Sequence, residues 1–161
     1  MTLPDFKRDL QRGEQGEARL DQFFSTWYTI TPVDLSAQKR GIDRIWIDRK
    51  FRRRFTVEYK TDSRSSGTGN VFVEYVSNDK TDAPGWAVHS EAQLLVYYLP
   101  QTGEVFLLDM IKLKEYLPEW MDTMQRRTIL NRAGYNSLGL LVPLETVVMF
   151  CCIKKLRLRV S

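Results

Sequence analysis

Two strand-forming runs flanking a charged turn constrain this chain more than any other feature. Ile45-Trp46-Ile47 and Phe55-Thr56-Val57-Glu58-Tyr59 are rich in β-branched and aromatic residues, and the run Asp48 to Arg54 between them suits a hairpin turn. With the turn centred near Phe51, residues equally distant from it face each other, which sets Asp43 across from the neighbourhood of Tyr59. Glu58 and Lys60 are two apart and share one face of their strand. The hairpin therefore predicts that two carboxylates and one ammonium, remote in sequence, converge.

Upstream, Phe6, Leu10, Gly13, Glu17, Leu20 and Phe24 recur at intervals of four and three, one face of a helix from about Asp5 to Phe24. Most of that stripe is apolar, so it faces the core with Glu17 in its middle. A short strand follows at Trp27 to Ile30, and Asp34 to Gly41 reads as a loop. Beyond the hairpin, Thr61 to Asn70 reads as a loop and Val71 to Val76 as a strand. Leu94 to Leu99 and Val105 to Leu108 read as strands joined by a turn at Pro100 to Gly103. A second helix starts near Asp109 and ends before or somewhat beyond Pro118. Thr128 to Asn131 and Leu138 to Val142 read as short strands. Leu144 to Cys152 is open to a helical reading, and Ile153 to Val160 suits an edge strand with outward Lys and Arg. The order predicts one α/β domain over residues 1–161, a central mixed β-sheet flanked by α-helices.

Composition narrows the classes. With 161 residues and 43% hydrophobic content the chain has the size of one domain, and its 12% aromatic content excludes a disordered polymer. A net charge of +4 allows a polyanionic partner without demanding one. The longest apolar stretch, Leu138 to Ile153, is broken by Pro143 and Glu145, so no membrane span is expected. The N-terminus has no apolar h-region, and a cytoplasmic location is the expectation. Cys151 and Cys152 are adjacent and accompany a single His, a poor zinc set that reads as buried apolar side chains.

Gathered hard oxygen ligands suit Mg²⁺, with Mn²⁺ as a substitute, and a neighbouring lysine can orient water and stabilise charge on a phosphate. The implied chemistry is phosphodiester hydrolysis. Gly41-Ile42-Asp43, fourteen intervening residues and then Glu58-Tyr59-Lys60 resemble the PD-(D/E)XK nuclease superfamily, which includes restriction-endonuclease-like and Holliday-junction-resolvase-like proteins. The order helix Glu, strand Asp, hairpin, strand Glu-X-Lys is similar as well, and covers residues 5 to 60. The resemblance implies a restriction-endonuclease-like fold in which Asp43, Glu58 and the Tyr59 carbonyl bind the metal. It further implies that Lys60 positions or activates the nucleophile and that Glu17 completes the site. Ile42 stands where the name-giving Pro would be, a substitution found in many members.

The acid-X-Lys pattern also occurs at Asp5-Phe6-Lys7 and Asp48-Arg49-Lys50, in a helix and in a turn. Glu58-Tyr59-Lys60 is set apart by ending a strand, facing Asp43 and accompanying a core-facing Glu17. The plainer alternative is a surface hairpin with a salt bridge from Lys60 and a hydrogen-bonded Glu17. Glu74 on the third strand is a further candidate ligand. Thr61, Ser63, Arg64 and Asn70 offer donors to phosphates beside the scissile bond. Arg52 and Arg53 lie about 25 Å away at about 3.3 Å per residue and suit a grip on flanking duplex. His89 and the pair Tyr97-Tyr98 read as structural. The expectation is a Mg²⁺-dependent endonuclease with DNA as partner and no nucleotide cofactor. Cutting both strands of a duplex calls for two such sites, and a homodimer is one way to supply them. The alternative is a catalytically inactive module of the same fold that binds nucleic acid or a protein.

Overall fold

The computed structural model describes the backbone of residues 3–131 and 133–159, and the side chains from residue 13 onward within those ranges. The amphipathic first segment forms α1 (Leu3–Phe24). Leu20 and Phe24 of its stripe are buried, whereas Phe6 and Leu10 lie outside the described side chains. After β1 (Tyr28–Pro32), the hairpin forms as β2 (Arg44–Asp48) and β3 (Arg54–Thr61). Arg44 pairs with Val57 and Ile47 with Arg54, which extrapolates Asp43 to the level of Glu58, one residue from the expected Tyr59. The turn is held by the Asp48 carboxylate, which accepts from the amides of Lys50 and Phe51.

β6 (Leu94–Leu99), β7 (Glu104–Asp109) and β10 (Cys152–Arg157) complete a six-stranded sheet in the order β1-β2-β3-β6-β7-β10. All its pairings are antiparallel except β3 with β6, so the sheet is mixed and β3 lies inside it. Strand alternation divides its side chains. Val57, Tyr59, Val96 and Tyr98 pack with Leu20, Phe24 and Trp46 on the α1 face. Leu95, Tyr97, Leu99, Phe106 and Leu108 form a core with residues of α5 (Met110–Thr123) and α6 (Leu144–Cys151). Asp109 caps α5 by accepting from the amides of Ile111 and Lys112, and the helix runs through Pro118 because buried Leu113 and Trp120 anchor it on both sides. Cys151 is buried and Cys152 partly so, and both are free thiols. Among the described residues no helix is long and apolar enough to cross a membrane.

Three features differ from the sequence expectation. The expected loop at Asp34 to Gly41 holds α2 (Leu35–Lys39), whose cap is the Asp34 carboxylate accepting from the Ala37 amide. Short helices α3 (Ser65–Thr68) and α4 (Trp86–His89) interrupt other loops. Most consequentially, β4 (Asn70–Asn78) does not extend the central sheet. It joins β5 (Ala83–Pro84), β8 (Gln125–Leu130) and β9 (Asn136–Pro143) in a separate antiparallel sheet ordered β5-β4-β9-β8. Its Val71 and Val73 enter the same core as Leu140 and Val142 of β9 and the helices α5 and α6.

The link from β3 to β4 is organised by Asp62. Its carboxylate accepts from the amides of Arg64 and Ser65 at 2.7 and 3.0 Å, from the Ser65 hydroxyl at 2.6 Å and from the Tyr97 hydroxyl. Burial opposes ionisation, but these four donors outweigh it and hold the carboxyl below its ordinary value. A depressed folded value means that the stability contributed is present above the unfolded value and lost as pH falls through the folded one. Asp62→Ala is therefore expected to cost about 2–4 kcal/mol at neutral pH. Urea melts of the variant should also lose stability less steeply than wild type below about pH 4, the reference range for an aspartate.

Candidate active site

β2 begins at Arg44 while β3 continues to Thr61, leaving the β2 side of β3 without a strand partner from Glu58 onward. Asp43 fills the gap. Its amide donates to the Val57 carbonyl at 2.8 Å, and its Oδ2 accepts from the Tyr59 amide at 2.7 Å. The carbonyl and amide of one strand residue point to the same side, so the Tyr59 carbonyl is also directed past the end of β2, beside Asp43. The approach to Asp43 is fixed by Gly41, at φ +72°, where a Cβ would lie 2.8 Å from the Ser90 Cα. Ser90 Oγ donates to the Gly41 carbonyl at 3.0 Å, and Ile42 is buried.

Glu58 and Lys60 project from the face of β3 opposite Tyr59. The Glu58 side chain is only 4% exposed, and its Oε1 accepts from Lys60 Nζ at 2.8 Å. Its Oε2 is buried and has no hydrogen-bond partner among the described residues. A buried carboxylate oxygen without a donor is costly, and a hard cation would satisfy it. Burial works against charge on Lys60, but Glu58, with Asp43 and Glu74, holds its ammonium above the ordinary lysine range. Glu74 is electrostatically part of this group. Burial raises its carboxyl value, against the lowering effects of Ser137, Lys60 and the Trp86 amide. Among the described residues no three His, Cys, Asp or Glu side chains stand close enough to enclose a metal ion.

Glu17 is held one step back. Its Oε2 accepts from Arg44 Nη2 at 2.9 Å, while Arg44 Nε reaches the two Asp21 oxygens at 3.0 and 3.2 Å and Nη1 donates to the Asp43 carbonyl at 2.9 Å. Asp21 also accepts from the Tyr59 hydroxyl at 2.7 Å, and that hydroxyl accepts from Trp46 Nε1 at 3.0 Å. The guanidinium lies 5.4 Å from the Tyr59 ring centroid. Burial raises the Glu17 value, with Arg44 opposing and Asp43 and Asp21 reinforcing the rise. Neither Arg44 nor Asp21 emerges from the sequence reading; the available signal is that Glu17 and Asp21 are four apart on one helix face and Arg44 follows Asp43 directly.

The other sequence candidates divide. Lys60, Thr61, Ser63 and Arg64 border a cleft of about 230 Å³ together with Phe72, Trp86 and Tyr97. Thr61 is exposed, with its side chain close to Gly16 of α1. The Asn70 backbone amide donates to Thr68 Oγ1 and its side-chain amide to the Thr68 carbonyl, so its donors serve the loop. Arg52 and Arg53 are exposed at the turn of the β2–β3 hairpin, at the opposite end from Asp43. His89 is exposed and its ring contacts the Lys39 carbonyl, and Tyr97 and Tyr98 are buried in the core.

The Arg44 bridge joins α1 to β2 with a side chain 15% exposed against partners 37% and 32% exposed. Partial solvation tempers what a buried pair would contribute. Arg44→Met is expected to lower stability by about 1–3 kcal/mol in urea denaturation, with Arg44→Lys restoring only part because an ammonium cannot span three acceptors in a plane. Comparison with protein-family models, with curated proteins and with solved structures finds no match to this chain.

Proposed function

We propose that this chain is a divalent-metal-dependent endonuclease hydrolysing phosphodiester bonds in DNA, on a restriction-endonuclease-like arrangement of α1, β2 and β3. The observation that carries the reading is Glu58: a carboxylate buried on a central strand, with one oxygen on Lys60 and the other without a partner among the described residues. Such a group is expensive to keep unless a ligand completes it. The donor set is all oxygen, which suits Mg²⁺ or Mn²⁺. Asp43, Glu58 and the Tyr59 carbonyl would hold the ion, and Glu17 would join if released from Arg44. Bound there, the metal would supply Lewis-acid polarisation of a phosphoryl oxygen and a more acidic water.

The residues of the chain have separate tasks in this scheme. The Tyr59 amide fixes the orientation of Asp43. Lys60, kept cationic by Glu58, Asp43 and Glu74, faces a non-bridging phosphate oxygen and orients the attacking water by donating to it. Ser63 and Arg64, on the rim of the adjoining cleft, receive the neighbouring phosphates. The second reading, a binding module without catalysis, draws on the same ion pairs: Lys60 already serves Glu58, and Arg44 serves Glu17 and Asp21, within the protein.

Cleavage of labelled linear, single-stranded and four-way-junction DNA in EDTA, Mg²⁺ or Mn²⁺ separates the two. The expected outcome is metal-dependent cleavage that falls at least about 100-fold in Glu58→Gln, Asp43→Asn and Lys60→Ala, the scale of losing a positioned charge in the transition state. DNA affinity should be retained in all three. Absence of cleavage on every substrate, or variants that cut at the wild-type rate, overturns the nuclease reading.

A further inference from the structure

We infer that the Phe72 face of the four-stranded sheet is a platform for single-stranded nucleic acid, with Phe72 stacking on a base and Arg64 and Arg127 contacting the flanking phosphates. Alternation along β4 sends Val71 and Val73 into the core and Phe72 to the opposite face, where it is only partly buried. There Phe72 pairs with Leu141. Together with Ile129 of β8 these side chains line a groove of about 460 Å³, within the range of about 300–1,000 Å³ usual for ligand sites.

The banks of this groove are polar and cationic. Arg64, Thr68 and Asn70 stand on one side, Arg127 and Thr128 on the other. Arg64 and Arg127 are exposed and form no ion pair among the described residues. Asp62 also borders the groove, its carboxylate engaged by Ser65, Tyr97 and the Arg64 amide, so two guanidinium groups face one carboxylate and the net charge of the lining is positive. An apolar aromatic floor between cationic banks matches the stacking and phosphate contacts that hold single strands.

Two further observations shape the surface for this use. Gly139 of β9 lies under Phe72, where a Cβ would come within 2.4 Å of the ring. Only glycine lets the ring settle against the strand in this position. The groove also shares Asp62, Arg64 and Phe72 with the Lys60 cleft, so a strand passing Lys60 continues onto the platform. Stacking on Phe72 needs a free base face, which a continuous duplex does not offer. The direction of the strand past Lys60 rests on the proposed nuclease site; the platform itself does not.

The test uses Glu58→Gln protein in EDTA, so that neither metal nor cleavage enters, with an oligonucleotide carrying 2-aminopurine and its duplex form as probes. The single strand is expected to bind more tightly than the duplex and its fluorescence to change on binding. Adding Phe72→Leu should weaken binding about 10-fold, the scale of one stacked base. Adding Arg127→Ala should reduce the slope of log affinity against log salt by about 0.7, the value for one phosphate contact on a single strand. Equal affinity in the Phe72→Leu protein, a preference for duplex, or an unchanged salt slope in Arg127→Ala overturns the platform. If circular dichroism shows Phe72→Leu to be unfolded, the exposed Arg127→Ala variant and the duplex comparison decide. Intact binding in these variants, with no cleavage by the wild-type protein in Mg²⁺ or Mn²⁺, removes the nuclease reading and leaves the platform standing, whereas wild-type cleavage without these binding effects does the reverse.

Discussion

Burying the charged Glu58 on an interior strand is the constraint to which the rest of the site answers. A carboxylate on an interior strand loses its hydration, and here it receives one ion pair, from Lys60, two residues along the same strand. That pairing is possible because strand alternation puts residues 58 and 60 on one face while Tyr59 goes to the other. The same alternation lets a single strand serve both sides of the sheet. Tyr59 anchors the hydrogen-bonded network with Trp46, Asp21 and Arg44 beneath α1, and on the other face Lys60 lines the cleft with Glu58 buried beside it.

Arg44 ties α1 to the start of β2. One guanidinium bonds the Asp43 carbonyl, Asp21 and Glu17, so the orientation of α1 and the position of Asp43 are mechanically linked. A planar donor fork suits three acceptors at once in a way that a lysine does not. The cost is that Glu17 is held by a protein cation rather than standing free. In the proposed function, bringing Glu17 to a metal requires exchanging Arg44 for the ion, so metal affinity and the seating of α1 become coupled properties.

The second sheet changes what surrounds the site. Because β4 leaves the central sheet, Phe72 and Trp86 stand beside Lys60 in the cleft, and Glu74 comes within electrostatic reach of Lys60. A continuation of the central sheet would have placed β4 beside an existing strand and left no such cleft. The Asp62 turn makes the departure: its four donors fix the chain between β3 and β4 and connect the new direction to Tyr97 on β6.

The sequence by itself determined the elements whose cues are local. The three-four spacing of α1, the β-branched runs of β2 and β3 around a charged turn, the Pro-Gly turn between β6 and β7, and the basic edge strand β10 were all legible. So was the placement of Asp43 at the level of Glu58, to within one residue, since a hairpin's register follows from its turn. Short helices escaped notice because α2, α3 and α4 span only four or five residues, too few for a period to show. The tertiary structure alone decided sheet membership, the parallel pairing of β3 with β6, the bridge from Arg44 to α1 and the burial of Glu58. Each of these joins residues far apart in the chain, and strand propensity says that a segment will pair without saying with what.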